Sequence, residues 1–229
     1  MGSKLLSLLS IIRLAGLAVA MLAMAGFAFI AEEVLRHQTQ RFDLGILLAL
    51  KSLHTPSLDR MMIGFTFLGE SHLLLALSLG LGLLLLGRNH RSEATTLAIA
   101  TAGAMGLNAL LKQLFARVRP ALWERVVEVR FYSFPSGHAM ISLVLYGLLG
   151  YFLLVRFPRW RWLIISLTIF LVVTIGFSRL YLGVHWPTDV IAGYTAGLVW
   201  LMTCILSLEI WKELRSVVNA PEEKFLSSD

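Results

Sequence analysis

Pro135-Ser136-Gly137-His138 stands directly before Ala139 to Val155, AMISLVLYGLLGYFLLV, a stretch without a single charged residue. A run of this length and composition reads as a membrane-spanning helix. The polar tetrapeptide in front of it places a histidine at the mouth of the span, where ionisable groups are costly unless they have a partner or a task. Five further apolar runs extend outward from this one. The first covers about Leu5 to Ala31, broken only by Arg13, and the second lies between Met61 and Gly87 with Glu70 and His72 in its first half. The third runs from Ala94 to about Phe115, the fifth from Trp162 to Phe177, and the sixth from Val190 to Ile210. The expected architecture is an all-α, six-span transmembrane helical bundle. Even spacing and short loops leave no room for a second domain, so residues 1–229 read as one integral-membrane domain.

Composition agrees with this reading. Of 229 residues, 57% are hydrophobic and only 15% charged, with a mean hydropathy of +0.76; a soluble domain carries about 25% charged residues. The net charge of +6 sits in short loops beside apolar runs, where it sets topology and meets anionic lipid. No basic and aromatic interleaving supports nucleic-acid binding. Cys204 is the only cysteine and lies within an apolar run, which excludes an internal disulfide and a cysteine-based metal cluster. The length of the first run, with Arg13 inside it, suits an anchor better than a cleaved leader.

Loop charge orients the bundle. Placing Lys4, Arg88, Arg91, Arg156, Arg159, Arg161, Lys212 and Arg215 on one side satisfies the positive-inside tendency and makes both termini cytoplasmic. Arg117, Arg119, Arg125, Arg130 and Arg179 then fall on the opposite side. With this connectivity, the end of span three, the start of span four and the loop between spans five and six share one face. Those are the places of Lys112 and Arg119, of Ser136-Gly137-His138, and of Arg179, His185 and Asp189. Three blocks far apart in sequence therefore converge on the extracytoplasmic face of the cell inner membrane.

Together the blocks carry a resemblance. Lys112, six residues, Arg119-Pro120; Pro135-Ser136-Gly137-His138; and Ser178-Arg179, five residues, His185, three residues, Asp189 resemble the three-part signature of the type 2 phosphatidic acid phosphatase (PAP2) family of lipid phosphatases. The resemblance spans Lys112 to Asp189 without a departure at any signature position. It implies metal-independent hydrolysis of a membrane lipid phosphate or diphosphate through a phosphohistidine. Bacterial members act on phosphatidylglycerophosphate or undecaprenyl diphosphate.

The residue chemistry leads the same way. Lys112 and Arg119 are seven apart, close to two helical turns, so a continuing helix would turn both to one side, with Pro120 ending it. Arg119 offers a planar fork for two phosphate oxygens, and Lys112 a compact charge. Pro135 and Ser136 suit a helix start whose free N–H groups face an anion, and Gly137 leaves that approach open. His185 and Asp189 are four apart, a spacing that lets Asp189 take the proton on one ring nitrogen and leaves the other as a nucleophile. Arg179 completes the cationic cradle. The expected site is therefore catalytic His185, His138 and Asp189, with Lys112, Arg119, Ser136, Gly137 and Arg179 on the phosphate. His138 serves as acid and then base. The cations around the histidines disfavour a divalent ion, so neither metal nor other cofactor is expected.

Each block alone has a plainer explanation: snorkelling cations at the interface, a helix cap, a His–Asp pair closing a helix end. Phe42, Asp43, Glu70 and His72 near the same face read as structural. Gly80, Gly82 and Gly87 suit close helix contact, the scattered Trp and Tyr residues interfacial belts, and the tail from Asn219 a polar end. Among other functions, a phosphatase for small soluble esters shares the chemistry. A non-enzymatic anion transporter would need charges near the midplane instead. Oligomeric state is not legible.

Overall fold

The computed structural model describes residues 2–123 and 132–226, with side chains at 13–123 and 132–215. Arg125, Arg130, the Lys4 side chain and the last residues of the tail lie outside them. Among the described residues the chain is all-α: α1 (Gly2–Leu35), α2 (Gln40–Lys51), α3 (Pro56–Leu68), α4 (Ser71–Gly87), α5 (Arg91–Phe115), α6 (Gly137–Arg156), α7 (Arg161–Tyr181) and α8 (Pro187–Leu226). A single 3-10 turn, Pro158–Trp160, leads into α7.

Five of these helices are each long and apolar enough to cross a membrane, and α3 with α4 passes the same test as a pair bent by 46°. Taken as one broken span, that pair completes the six expected passes. It starts at Pro56, before the apolar run proper, because Thr55 caps it: its Oγ1 accepts from the Leu58 N–H at 3.3 Å, with Pro56 in the first turn. Helix α2 is an element the apolar runs do not announce; it buries only Asp43 and Leu47. The α8 helix continues to Leu226, through most of the stretch read as a polar tail.

The bundle is built around α8, which packs against α1, α5 and α6, while α6 also meets α5 and α7. Leu97, Val144, Leu145, Leu148 and Leu201 form the dry centre. Lipid tails are as apolar as leucine, so helices in a bilayer associate through close packing and polar contacts rather than through apolar burial. Between α6 and α8 backbone meets backbone at two glycines. A Cβ on Gly193 would stand 2.6 Å from the Ser136 carbonyl oxygen, and one on Gly197 2.9 Å from that of Met140. Gly80, Gly82 and Gly87, expected to serve this purpose, meet nothing within 4 Å among the described residues. The belt reading also fails for Trp200, which is partly buried and donates to the Ala100 carbonyl at 2.9 Å inside the bundle; Trp160 and Trp162 are exposed as expected.

These contacts give opposite signs for two identical substitutions. Gly→Ala within a helix is worth roughly +0.5 to 1 kcal/mol when space permits, whereas overpacking costs about 1–3 kcal/mol. Gly193→Ala is expected to lower the thermal midpoint in detergent, and Gly80→Ala to hold or raise it, as followed by tryptophan fluorescence. The reverse order would contradict the α6–α8 packing.

Candidate active site

The site is assembled by a carboxylate. Asp189 lies in the first turn of α8 with no exposed surface. Its Oδ2 accepts the Trp186 N–H at 2.9 Å, as a capping box does. The same oxygen accepts the Ser133 hydroxyl at 2.8 Å and lies 3.3 Å from His185 Nδ1. The Oδ1 atom receives Arg117 Nη1 at 2.6 Å. A buried carboxylate needs this full set of donors to remain charged.

His185 is 2% exposed. Burial pushes its imidazole well below the ordinary value of 6.5, and the positive charges of Arg119, Lys112 and Arg179 push the same way. The ring is thus held neutral. With Nδ1–H directed at Asp189, Nε2 carries the lone pair, and this atom lies 3.0 Å from Arg119 Nη1.

The cations meet by a route other than the one expected. Helix α5 ends at Phe115, and Ala116 takes a left-handed turn at φ 44°, so Lys112 and Arg119 do not share a helix face. Such a turn costs a non-glycine residue about 1–2 kcal/mol. It redirects the following residues inward, where Arg117 finds two buried carboxylates. Arg119 still reaches Lys112: its Nη2 and Lys112 Nζ both donate to the Tyr132 carbonyl oxygen, at 3.2 and 2.6 Å. A further bond from Arg119 Nη1 to the Val184 carbonyl at 2.7 Å holds it beside His185. Arg179, 3% exposed, donates to the Thr66 hydroxyl of α3 through Nη1, while its buried Nε has no hydrogen-bond partner among the described residues.

Ser136 occupies the cap position of α6, but its hydroxyl does not cap. The Oγ atom is buried without a hydrogen-bond partner among the described residues, and the backbone N–H instead donates to the Asp189 carbonyl at 2.9 Å. Gly137 is required by Asn108, whose Oδ1 would stand 2.9 Å from a Cβ there. The Asn108 Nδ2 supports the turn by donating to the Pro135 carbonyl at 3.3 Å. His138 follows in the first turn of α6, with Nε2 3.3 Å from Glu70 Oε1. Among the described residues, no three His, Cys, Asp or Glu side chains gather as metal ligands would.

All the expected residues thus gather at one end of the bundle. Several others sit among them unannounced. Arg117 joins Asp189 to Asp43 of α2, donating through Nη2 to Asp43 Oδ2 at 2.7 Å, to Thr39 at 3.0 Å, and through Nη1 to Thr188 at 2.8 Å. In the sequence it is one loop arginine among several. Asn108 had a readable signal, a polar side chain inside an apolar run one turn before Lys112; Ser133 and Thr66 had none.

A six-pass bundle with a buried His–Asp pair facing cations at one mouth is the architecture of a membrane phosphatase, and the chain belongs to the PAP2 superfamily, whose pattern matches residues 93–212. It is a lipid phosphatase of that family. Phosphatidylglycerophosphatase B of Bacillus subtilis is 32% identical over 176 residues, covering 76% of this chain and 86% of that protein. The undecaprenyl-diphosphatase of Sulfolobus acidocaldarius is 38% identical over 120 residues, 50% of this chain and 55% of that one. The crystal structure of a transmembrane PAP2-type phosphatidylglycerolphosphate phosphatase from Bacillus subtilis superposes with a TM-score of 0.77 at 28% identity, covering 85% of this chain and 96% of that one.

Arg117 is the shared cation of two carboxylates with no exposed surface. Removing one partner from a buried pair costs about 3–5 kcal/mol, because the other is left charged and unpaired. Arg117→Met is expected to melt well below the wild type in detergent, and Arg117→Lys, which cannot fork between Asp43 and Asp189, to fall between them. Identical melting of all three would show that the network contributes nothing to stability.

Proposed function

We propose that the chain removes a phosphate from a membrane lipid phosphate or diphosphate through a phosphohistidine on His185. The observation that carries this reading is the buried His185 ring, held with Nδ1 3.3 Å from Asp189 Oδ2 and Nε2 3.0 Å from Arg119 Nη1. His185 Nε2 attacks phosphorus in line, while Asp189 holds the Nδ1 proton and stabilises the imidazolium that forms. Lys112, Arg119 and Arg179, with the buried Ser136 hydroxyl and the Gly137 N–H, hold the equatorial oxygens over which charge spreads in the transition state. His138 protonates the leaving oxygen and then takes a proton from the water that hydrolyses the phosphohistidine. The donor set is one of cations and N–H groups, which supports turnover without a divalent ion.

Phosphatidylglycerophosphate, undecaprenyl diphosphate and phosphatidic acid are the substrates to compare. The first two are named by the relatives, and an intramembrane bundle suits a phosphate that arrives on a lipid. Phosphate release by detergent-purified protein is expected to persist in EDTA on at least one of them. His185→Ala is expected to abolish both turnover and the acid-labile ³²P adduct seen on rapid quench. Failure on all three lipids by folded protein would overturn the substrate class, and an adduct on His138 would overturn the assignment of roles.

The loop-charge bias supports an extracytoplasmic site. In a Cys204→Ser background, a single cysteine at Ala121, which is exposed at the site end, is expected to react with an impermeant maleimide on intact cells. One at Asn89, exposed in the turn between α4 and α5 at the other end, is expected to react only after lysis. The opposite pattern would put catalysis in the cytoplasm.

A further inference from the structure

The break in the second span lies against the site. Thr66, in the last turn of α3, receives the hydrogen bond from buried Arg179. Leu68 offers its carbonyl to the Tyr146 hydroxyl of α6 at 2.8 Å. Gly69 lies flat on His138: a Cβ there would stand 2.9 Å from its Cδ2 and 2.5 Å from Ile175 Cγ2. Next comes Glu70, whose extended backbone at φ −63° and ψ 132° starts α4 and whose Oε1 lies 3.3 Å from His138 Nε2. Contacts from four of the five residues Thr66 to Glu70 therefore tie the break to α6 and α7, and the bend delivers one carboxylate to one histidine.

The two histidines are thereby paired alike but housed differently. Asp189 is enclosed and shares its charge with Arg117, whereas the Glu70 side chain is 45% exposed and that of His138 only 13%. An anion near a site that must attract phosphate is a cost unless it serves the chemistry. A carboxylate facing an imidazole favours the protonated ring, which is the form an acid needs.

We infer that Glu70 is a positioning residue for His138: its carboxylate accepts a hydrogen bond from Nε2–H, fixes the ring, and supports the imidazolium that protonates the leaving oxygen. This rests on the proposed role of His138 as acid and base. In the first half-reaction the Nδ1 proton passes to the leaving oxygen as the P–O bond breaks and the bond from phosphorus to His185 Nε2 forms. In the second, water gives a proton to Nδ1 as its oxygen bonds to phosphorus and the P–N bond breaks. The other proton stays on Nε2, hydrogen-bonded to the Glu70 carboxylate, throughout, and His138 ends as it began.

The test compares Glu70→Gln and Glu70→Asp with the wild type in detergent. One substrate is phosphatidylglycerophosphate, whose alkoxide leaving group needs a proton; the other is 4-nitrophenyl phosphate, whose leaving group does not. General acid–base help is worth ~10²–10⁴-fold. Glu70→Gln is expected to lose about tenfold or more in kcat on the lipid, out of that total, with KM little changed and a much smaller loss on the aryl phosphate. Glu70→Asp is expected to recover part of the lipid rate. Unchanged kcat on the lipid, or equal losses on both substrates, would overturn the inference. His138→Ala serves as reference. Equal losses there would refute the acid role of His138 itself, and a selective loss there with none in Glu70→Gln would refute Glu70 alone.

Discussion

One enclosed negative charge organises the working end of this bundle. The Asp189 carboxylate has no access to solvent, so every donor it requires must come from the chain. They come from the stretch after α5, the residues before α6, the loop ahead of α8 and His185. Meeting that demand fixes three loops relative to one another. Through Arg117 the same demand reaches Asp43 and Thr39 at the start of α2, a helix that covers this end without crossing the membrane. The placement of Ser136 follows as well, since its N–H is bound to the Asp189 carbonyl.

The passes were legible because long uncharged runs have few alternatives in water or lipid, and topology alone then brought the three blocks to one face. What escaped the sequence was decided by partners far along the chain. Arg117 lies 74 residues from Asp43 and 72 from Asp189, and no local pattern marks an arginine that will be buried. Its pull, together with the left-handed Ala116, is why a spacing that looked like two helical turns belongs instead to a helix end and an extended loop. The glycines of α4 were misread for a similar cause. Whether a helix face meets lipid or another helix is settled by the bundle, not by the face.

Glu70 shows where reading could have gone further. Gly69-Glu70-Ser71-His72 places polar residues inside an otherwise apolar run, a signal both of a broken span and of groups with a purpose in the membrane. The sequence places Glu70 near the site's face, but there it reads as structural, because a continuous helix gives it no particular partner. The bend is the structural event that joins it to His138, and Gly69 is the residue that lets the ring come so near.

Lys112 and Arg119 end together on the carbonyl oxygen of Tyr132. Under the proposed function, a phosphate competes with that neutral oxygen for the same donors. Hydrogen bonds to an ionised acceptor are roughly twice as strong as those between neutral groups, so a terminal phosphate, doubly charged and with three bare oxygens, wins the exchange readily. A phosphodiester brings one charge and has two of its oxygens covered. Ordinary phospholipids crowd the same interface as diesters, and they gain least by displacing the carbonyl. A single peptide group thus becomes a filter, raising the threshold for the abundant lipid while scarcely hindering the rare one.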